Sequence, residues 1–225
     1  MIGIILLDTK FPRLLGDVGN PKTFPFPVIF EKVEEAIPFR VVKEGDPALI
    51  APFVEAARAL ERRGAKAVTT SCGFLAVWQQ EIASAVDIPV FTSSLIQVPW
   101  AHQVKGGRGR VGVLTVDAAS LTKGHFDGVG AGRIPVVVRG MDPEGEFHRV
   151  YVGNNTDIDL SKAEHEVVSG VSALVNENRD VSSIVLECTN MPVFGKAIRN
   201  TLKIPVFDIV TLTNFIWSSV ARKGR

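Results

Sequence analysis

Two cysteines carry the chemistry this sequence offers. Cys72 stands in Val68-Thr69-Thr70-Ser71-Cys72-Gly73-Phe74, and Cys188 in Val185-Leu186-Glu187-Cys188-Thr189-Asn190-Met191-Pro192. Each follows a β-branched run and precedes a helix-length stretch, so each thiol is expected where a strand ends and a helix opens. Ligands of open α/β sheets collect beyond the carboxyl ends of the strands. Asn190 reads as an N-cap with Pro192 early in its helix, which aims free backbone N–H groups at that region. Such groups favour an anion and favour thiolate over thiol. Two thiols on opposite sides of one cleft suit stereochemical inversion, one removing a proton while the other supplies one from the opposite face. A lone cysteine at a strand end is more often just a small buried residue; a pair in matched contexts argues for function.

The elements that would position these thiols follow from periodicity and punctuation. Short β-branched runs at Ile2–Leu7, Phe39–Val42, Ala67–Ser71, Pro89–Thr92, Arg110–Val116, Ile134–Val138, Ser183–Glu187 and Pro205–Ile209 alternate with helical stretches, the pattern of a parallel α/β protein. Asp46-Pro47 opens a helix over about 47–63, which Gly64 closes after the basic last turn Arg62-Arg63. Ser161-x-x-Glu164 reads as a capping box for a helix running to about Asn178, and a final helix is expected over about 210–220. Residues 11–38 and 139–158 are long connections rich in Pro, Gly and Asn, of the kind that cover sites.

The chain also resembles itself. Ile88-Pro89-Val90-Phe91 returns as Ile204-Pro205-Val206-Phe207, an offset of 204 − 88 = 116, and the cysteines share it, 188 − 72 = 116. Ile2-Gly3-Ile4 through Asp8 matches Val111-Gly112-Val113 through Asp117 at an offset of 109. A duplicated four-stranded unit explains this. The reading is two similar parallel-sheet α/β domains in pseudo-twofold arrangement, residues 1–101 with 211–225 and residues 102–210, joined near His102–Gly109, with the site in the cleft between them.

Composition bounds the partners. The 225 residues are 46% hydrophobic and 22% charged, and 25 basic against 24 acidic residues leave +1. That balance gives no electrostatic footprint for nucleic acid. No apolar run reaches the length of a membrane span, and the start lacks the pattern of a secretory leader, so a cytoplasmic protein with reduced thiols is expected. His102, His125, His148 and His165 have no metal-site spacing. Gly128-x-Gly130-x-Gly132 precedes a strand rather than following one, and reads as a turn rather than a dinucleotide loop.

Cys188-Thr189-Asn190-Met191-Pro192 resembles the Cys-Thr-x-x-Pro signature around the second catalytic cysteine of the aspartate/glutamate/hydantoin racemase superfamily. Asp8-Thr9 is similar to the Asp-Ser pair of glutamate racemases, and the likeness runs in order along almost the whole chain. The resemblance implies two-base proton transfer, without a cofactor, at the α-carbon of an amino acid or similar small carboxylate. Cys72 and Cys188 would alternate as base and acid. Thr9, Ser71, Thr115, Thr189 and Asn190, with the backbone at Gly73, would bind the substrate, and Asp8 would orient Cys72 or a substrate ammonium. Two departures bear on the substrate: Gly73-Phe74 stand where glutamate racemases have Asn-Thr, and Asn190 where they have His. Phe74 points to a less polar pocket wall. A superfamily decarboxylase or cis–trans isomerase is the enzymatic alternative, and a non-catalytic small-molecule binding protein the other. A homodimer is the default assembly.

Overall fold

A computed structural model describes residues 1–221 as two four-stranded, wholly parallel sheets with flanking helices. The first sheet contains β1 (Ile2–Leu7), β2 (Val28–Val33), β3 (Val68–Thr70) and β4 (Val90–Phe91), in the order β2-β1-β3-β4. The second contains β5 (Arg110–Thr115), β6 (Val136–Gly140), β7 (Val181–Leu186) and β8 (Val206–Phe207), in the order β6-β5-β7-β8. The two orders are the same once the numbering is shifted by four, so the internal repeat of the sequence is a repeat of topology. The helices are α1 (Ile50–Arg62), α2 (Gln79–Ala83), α3 (Val98–Gln103), α4 (Lys123–Gly128), α5 (Glu146–Tyr151), α6 (Leu160–Glu177), α7 (Gly195–Thr201) and α8 (Ile209–Val220). Residues 222–225, the end of the expected first unit, lie outside the described residues.

The central strands are apolar because both faces are covered. Ile2, Ile4 and Ile5 of β1 and Val111, Val113 and Leu114 of β5 are fully buried, as expected for parallel strands between helices. The repeat reaches the packing of single atoms. Gly3 and Gly112 stand at matched positions, and a Cβ there would approach Leu60 of α1 to 3.0 Å and Leu174 of α6 to 3.0 Å, respectively. Each glycine lets the long helix of its own half close onto the sheet. One apolar core runs through both halves and contains both cysteines. A smaller one forms where Ile209 and Leu212 of α8 pack against Ile2, Ile4 and Phe91 of the first sheet. No helix among the described residues is long and apolar enough to cross a membrane.

Local signals hold in most places. Asp46 accepts from the Ala48 N–H and starts a short tight turn at Pro47–Leu49 that leads into α1, and Gly64 ends the helix with φ at +84°. The structure corrects three expectations. Phe39–Val42 is no strand: Phe39–Glu44 forms one wide helical turn that buries Val41 and Val42 and ends at Gly45. The edge position belongs instead to Val28–Val33, inside the expected connection, where a half-buried strand carrying Glu31 and Lys32 lacks a clean alternating pattern. Finally, α6 is capped by Asp159, which accepts from Lys162 N–H at 3.0 Å, two residues before the expected Ser161.

Candidate active site

The turns after β3 and β7 meet. Thr70 ends its strand by donating its hydroxyl to Thr92 O at 2.7 Å, and Cys72 follows in extended conformation ahead of a tight helical segment, Gly73–Trp78. At the matched place Glu187 N–H closes β7 onto Leu114 O at 2.8 Å, and Cys188 leads into Met191–Phe194. The turns are pinned together by Thr189, whose hydroxyl donates to Ser71 O at 2.7 Å across 118 residues of sequence. Ser94, in the turn after β4, adds a second link between the halves, donating to Leu186 O at 2.6 Å. Thr189→Val removes the first link and leaves a buried carbonyl short of a donor, so a loss of about 1–3 kcal/mol is expected. Urea denaturation checks it; an unchanged midpoint would show that the turns do not depend on this bond.

Between the turns lies a small pocket lined by both cysteines together with Ser71, Gly73, Thr189 and Asn190. Leu7, Val42, Val116, Phe11, Phe74 and Tyr151 supply apolar and aromatic walls. Both expected connections contribute: Phe11 comes from the first and Tyr151, on α5, from the second, their rings meeting edge-on at 4.9 Å. The pocket therefore joins groups from six separate stretches of chain.

A polar network closes one side. Asp17 is fully buried and accepts from Asn190 Nδ2 at 2.6 Å, Gly19 N–H at 2.6 Å and Arg13 at 3.1 Å. Arg13 also donates to Thr9 Oγ1 at 2.9 Å and lies over the Phe11 ring at 4.7 Å. The Cys188 thiol donates to Asn190 Oδ1 at 3.5 Å. Asn190 holds the N-cap position but does not cap with its side chain; the amide ties Cys188 to Asp17 instead. Arg13, Asp17, Tyr151 and Glu187 were not singled out from sequence. A signal existed for Glu187, a carboxylate directly before a candidate thiol, but not for Arg13 and Asp17, which sit in a segment without regular structure.

Three other expected site residues lie apart from the pocket wall. Asp8 faces Lys32 at 3.3 Å and accepts from Glu35 N–H at 3.3 Å. Thr9 reaches the site only through Arg13. Thr115 is fully buried and donates to Glu187 Oε2 at 2.7 Å.

The thiols do not have the depressed pKa that their helix-opening position suggests. Burial, followed by the charge of Glu187, pushes Cys72 up to about 12, outweighing the N–H groups of Phe74 and Leu75. The same two causes raise Cys188 well above its ordinary value, outweighing the Asn190 N–H. Loss of water costs a thiolate more than a few peptide dipoles return. Burial thus favours the thiol over the thiolate form at both cysteines.

Residues 54–213 match the Asp/Glu/hydantoin racemase family, and the chain belongs to it. A dimethylsulfoniopropionate lyase from Durusdinium sp. clade D is 28% identical over 222 residues, covering 95% of this chain and 73% of that protein. Dimethylsulfoniopropionate lyase 7 of Emiliania huxleyi (strain CCMP1516) is also 28% identical, and this chain spans 65% of its length. Among solved structures, unliganded arylmalonate decarboxylase superposes with a TM-score of 0.61 at 18% identity, covering 100% of this chain and 93% of that one. Picrophilus torridus aspartate racemase gives 0.59 at 16% identity, covering 100% and 96%. These two share the fold of paired four-stranded sheets.

Proposed function

We propose that the protein is a cofactor-independent lyase that removes the proton α to a carboxylate and expels a β-substituent, acting on dimethylsulfoniopropionate or a close sulfonium analogue. The observation that carries this reading is the meeting of Cys72 and Cys188 in one pocket from matched strand ends. One thiolate takes the α-proton, the C–S bond breaks with its electron pair leaving on sulfur, and the products are acrylate and a neutral sulfide. The second thiol transfers no proton in this step; it stays protonated and hydrogen-bonds the substrate carboxylate, where enolate-like negative charge develops. The relatives' names supply the leaving group, and three properties of the pocket suit it. The aromatic walls of Phe11, Phe74 and Tyr151 can face a soft cation. A bound positive charge lowers the pKa of nearby thiols, offsetting the rise that burial imposes on the empty site. Ser71 and Asn190 in the pocket wall, with Arg13 beside Ser71 at 3.4 Å and paired with Asp17, supply polar groups for the substrate carboxylate.

A second reading is racemisation of an amino acid or derivative. It is favoured by the presence of both thiols in the pocket, since elimination needs only one base. Proton NMR in D₂O separates the two. With dimethylsulfoniopropionate, olefinic acrylate signals and release of the sulfide are expected. Solvent deuterium entering the α-position of aspartate, glutamate or a 5-substituted hydantoin, without elimination, would replace the first reading by the second. Turnover of malonates or maleate alone would point to decarboxylation or isomerisation. Inertness toward every compound, with thermal stabilisation by one of them that survives loss of both thiols, would make the protein a binder.

A further inference from the structure

Glu187 takes no part in the proton transfer proposed above, yet it is a fully buried carboxyl group between the two cysteine turns. Its own backbone leads directly into Cys188. On the other side it packs against the Cys72 turn so closely that a Cβ built on Gly73 would lie 2.2 Å from Oε1. Oε2 accepts the Thr115 hydroxyl, while Oε1 has no partner. No cation pairs with Glu187 among the described residues, so nothing compensates a negative charge there.

The titratable and charged groups that face this arrangement are few. Cys72 and Cys188 occupy the two turns, Arg13 and Asp17 come from the covering segment, and Tyr151 comes from α5. From β5 the contact is the uncharged Thr115, and from the turn after β4 it is the Ser94 hydroxyl, 3.4 Å from Glu187 O.

We propose that Glu187 is a positioning residue that acts through its proton: when neutral it allows either thiol to ionise, and when charged it holds both thiols protonated. This rests on the reading of the two cysteines as the acid–base pair. Burial brings Glu187 to about 7, only partly opposed by the Thr115 hydrogen bond, so the group changes charge near neutral pH. Its negative charge is second only to burial in raising each thiol. Carboxylate and thiolate thus compete for one uncompensated negative charge in a dry space, a coupled titration rather than two independent ones. A cationic substrate would relieve that competition, which ties thiolate formation to binding.

The test measures thiol ionisation and uses no substrate, so its failure is distinct from failure of the lyase reading. Alkylation by iodoacetamide is followed against pH in Cys72→Ser and Cys188→Ser, each reporting the remaining thiol, with and without Glu187→Gln. The neutral amide is expected to shift both curves to lower pH by about one unit, which is about tenfold faster alkylation at a fixed pH below the midpoint. Superimposed curves from folded proteins would overturn the proposal. If the Gln variant does not fold, Glu187→Ala serves instead: it removes the carboxylate and its charge outright and is expected to shift the curves in the same direction. Infrared spectra of the wild type check the premise, with a protonated-carboxyl band expected just below neutral pH and lost above it. Absence of that band, or an unmoved curve in Glu187→Ala, would equally overturn the proposal. A purely structural role for Glu187 predicts neither the direction of the shift nor its appearance at both thiols.

Discussion

Cys188→Ala is expected to yield a folded protein whose turnover falls by about 10²–10⁴-fold, the range a positioned acid or base contributes. The fold survives because the change deletes one atom at a pocket wall and breaks only a long thiol bond, 3.5 Å to Asn190 Oδ1. Asn190 stays anchored by Asp17 at 2.6 Å. Cys72→Ala is the informative partner. Two-base racemisation requires both thiols, so the two variants would be equally impaired. In β-elimination the thiol that takes the α-proton is essential and the other contributes less, so the losses would differ. The measurement is acrylate release and α-deuterium exchange for each variant, with near-UV circular dichroism as the folding control. Full activity in both variants would remove the cysteines from the mechanism.

Gly73→Ala is expected to cost about 3 kcal/mol or more of stability and at least about 10² in turnover. The methyl group would sit 2.2 Å from Glu187 Oε1 and 2.3 Å from Glu187 backbone O. The side chain could swing aside only by giving up Thr115, while the backbone oxygen belongs to the strand end that holds Cys188. One of the two turns must therefore shift by a distance that matters to reacting groups only a few ångströms apart. Adding Glu187→Ala relieves the first clash but not the second, so most of the loss is expected to persist in the double variant. Urea denaturation and turnover check both statements. A Gly73→Ala protein of wild-type stability would mean that the two turns are not in contact as described.

The outcome for each residue depended on how local its determinants are. Seven of the eight β-branched runs, the cap at Asp46 and the Ile-Pro-Val-Phe repeat depend on neighbours a few positions away, and each appears in the fold near its expected place. Edge strand β2 did not announce itself, because a strand paired on one side and half exposed needs no strict alternation. Phe39–Val42 has the composition of a strand but follows Pro38 and closes on Gly45, and burial of Val41 and Val42 made it a helical turn. Asp8 stands at a strand end as the family resemblance suggests, and its carboxylate pairs with Lys32 of the neighbouring strand β2.

By itself the sequence determined that the chain is a duplicated parallel α/β protein with one thiol at the same strand end of each half. Hydrophobic period, helix caps and internal repetition are written in short stretches and need no knowledge of what packs where. Only the tertiary structure decided that burial and Glu187 raise the pKa of both thiols, that Asp17 holds Asn190 from 173 residues away, and that Gly73 must be small because Glu187 lies against it. Desolvation, steric contact and hydrogen bonding at such separations are sums over groups that meet only when the chain has closed, and no local pattern encodes them.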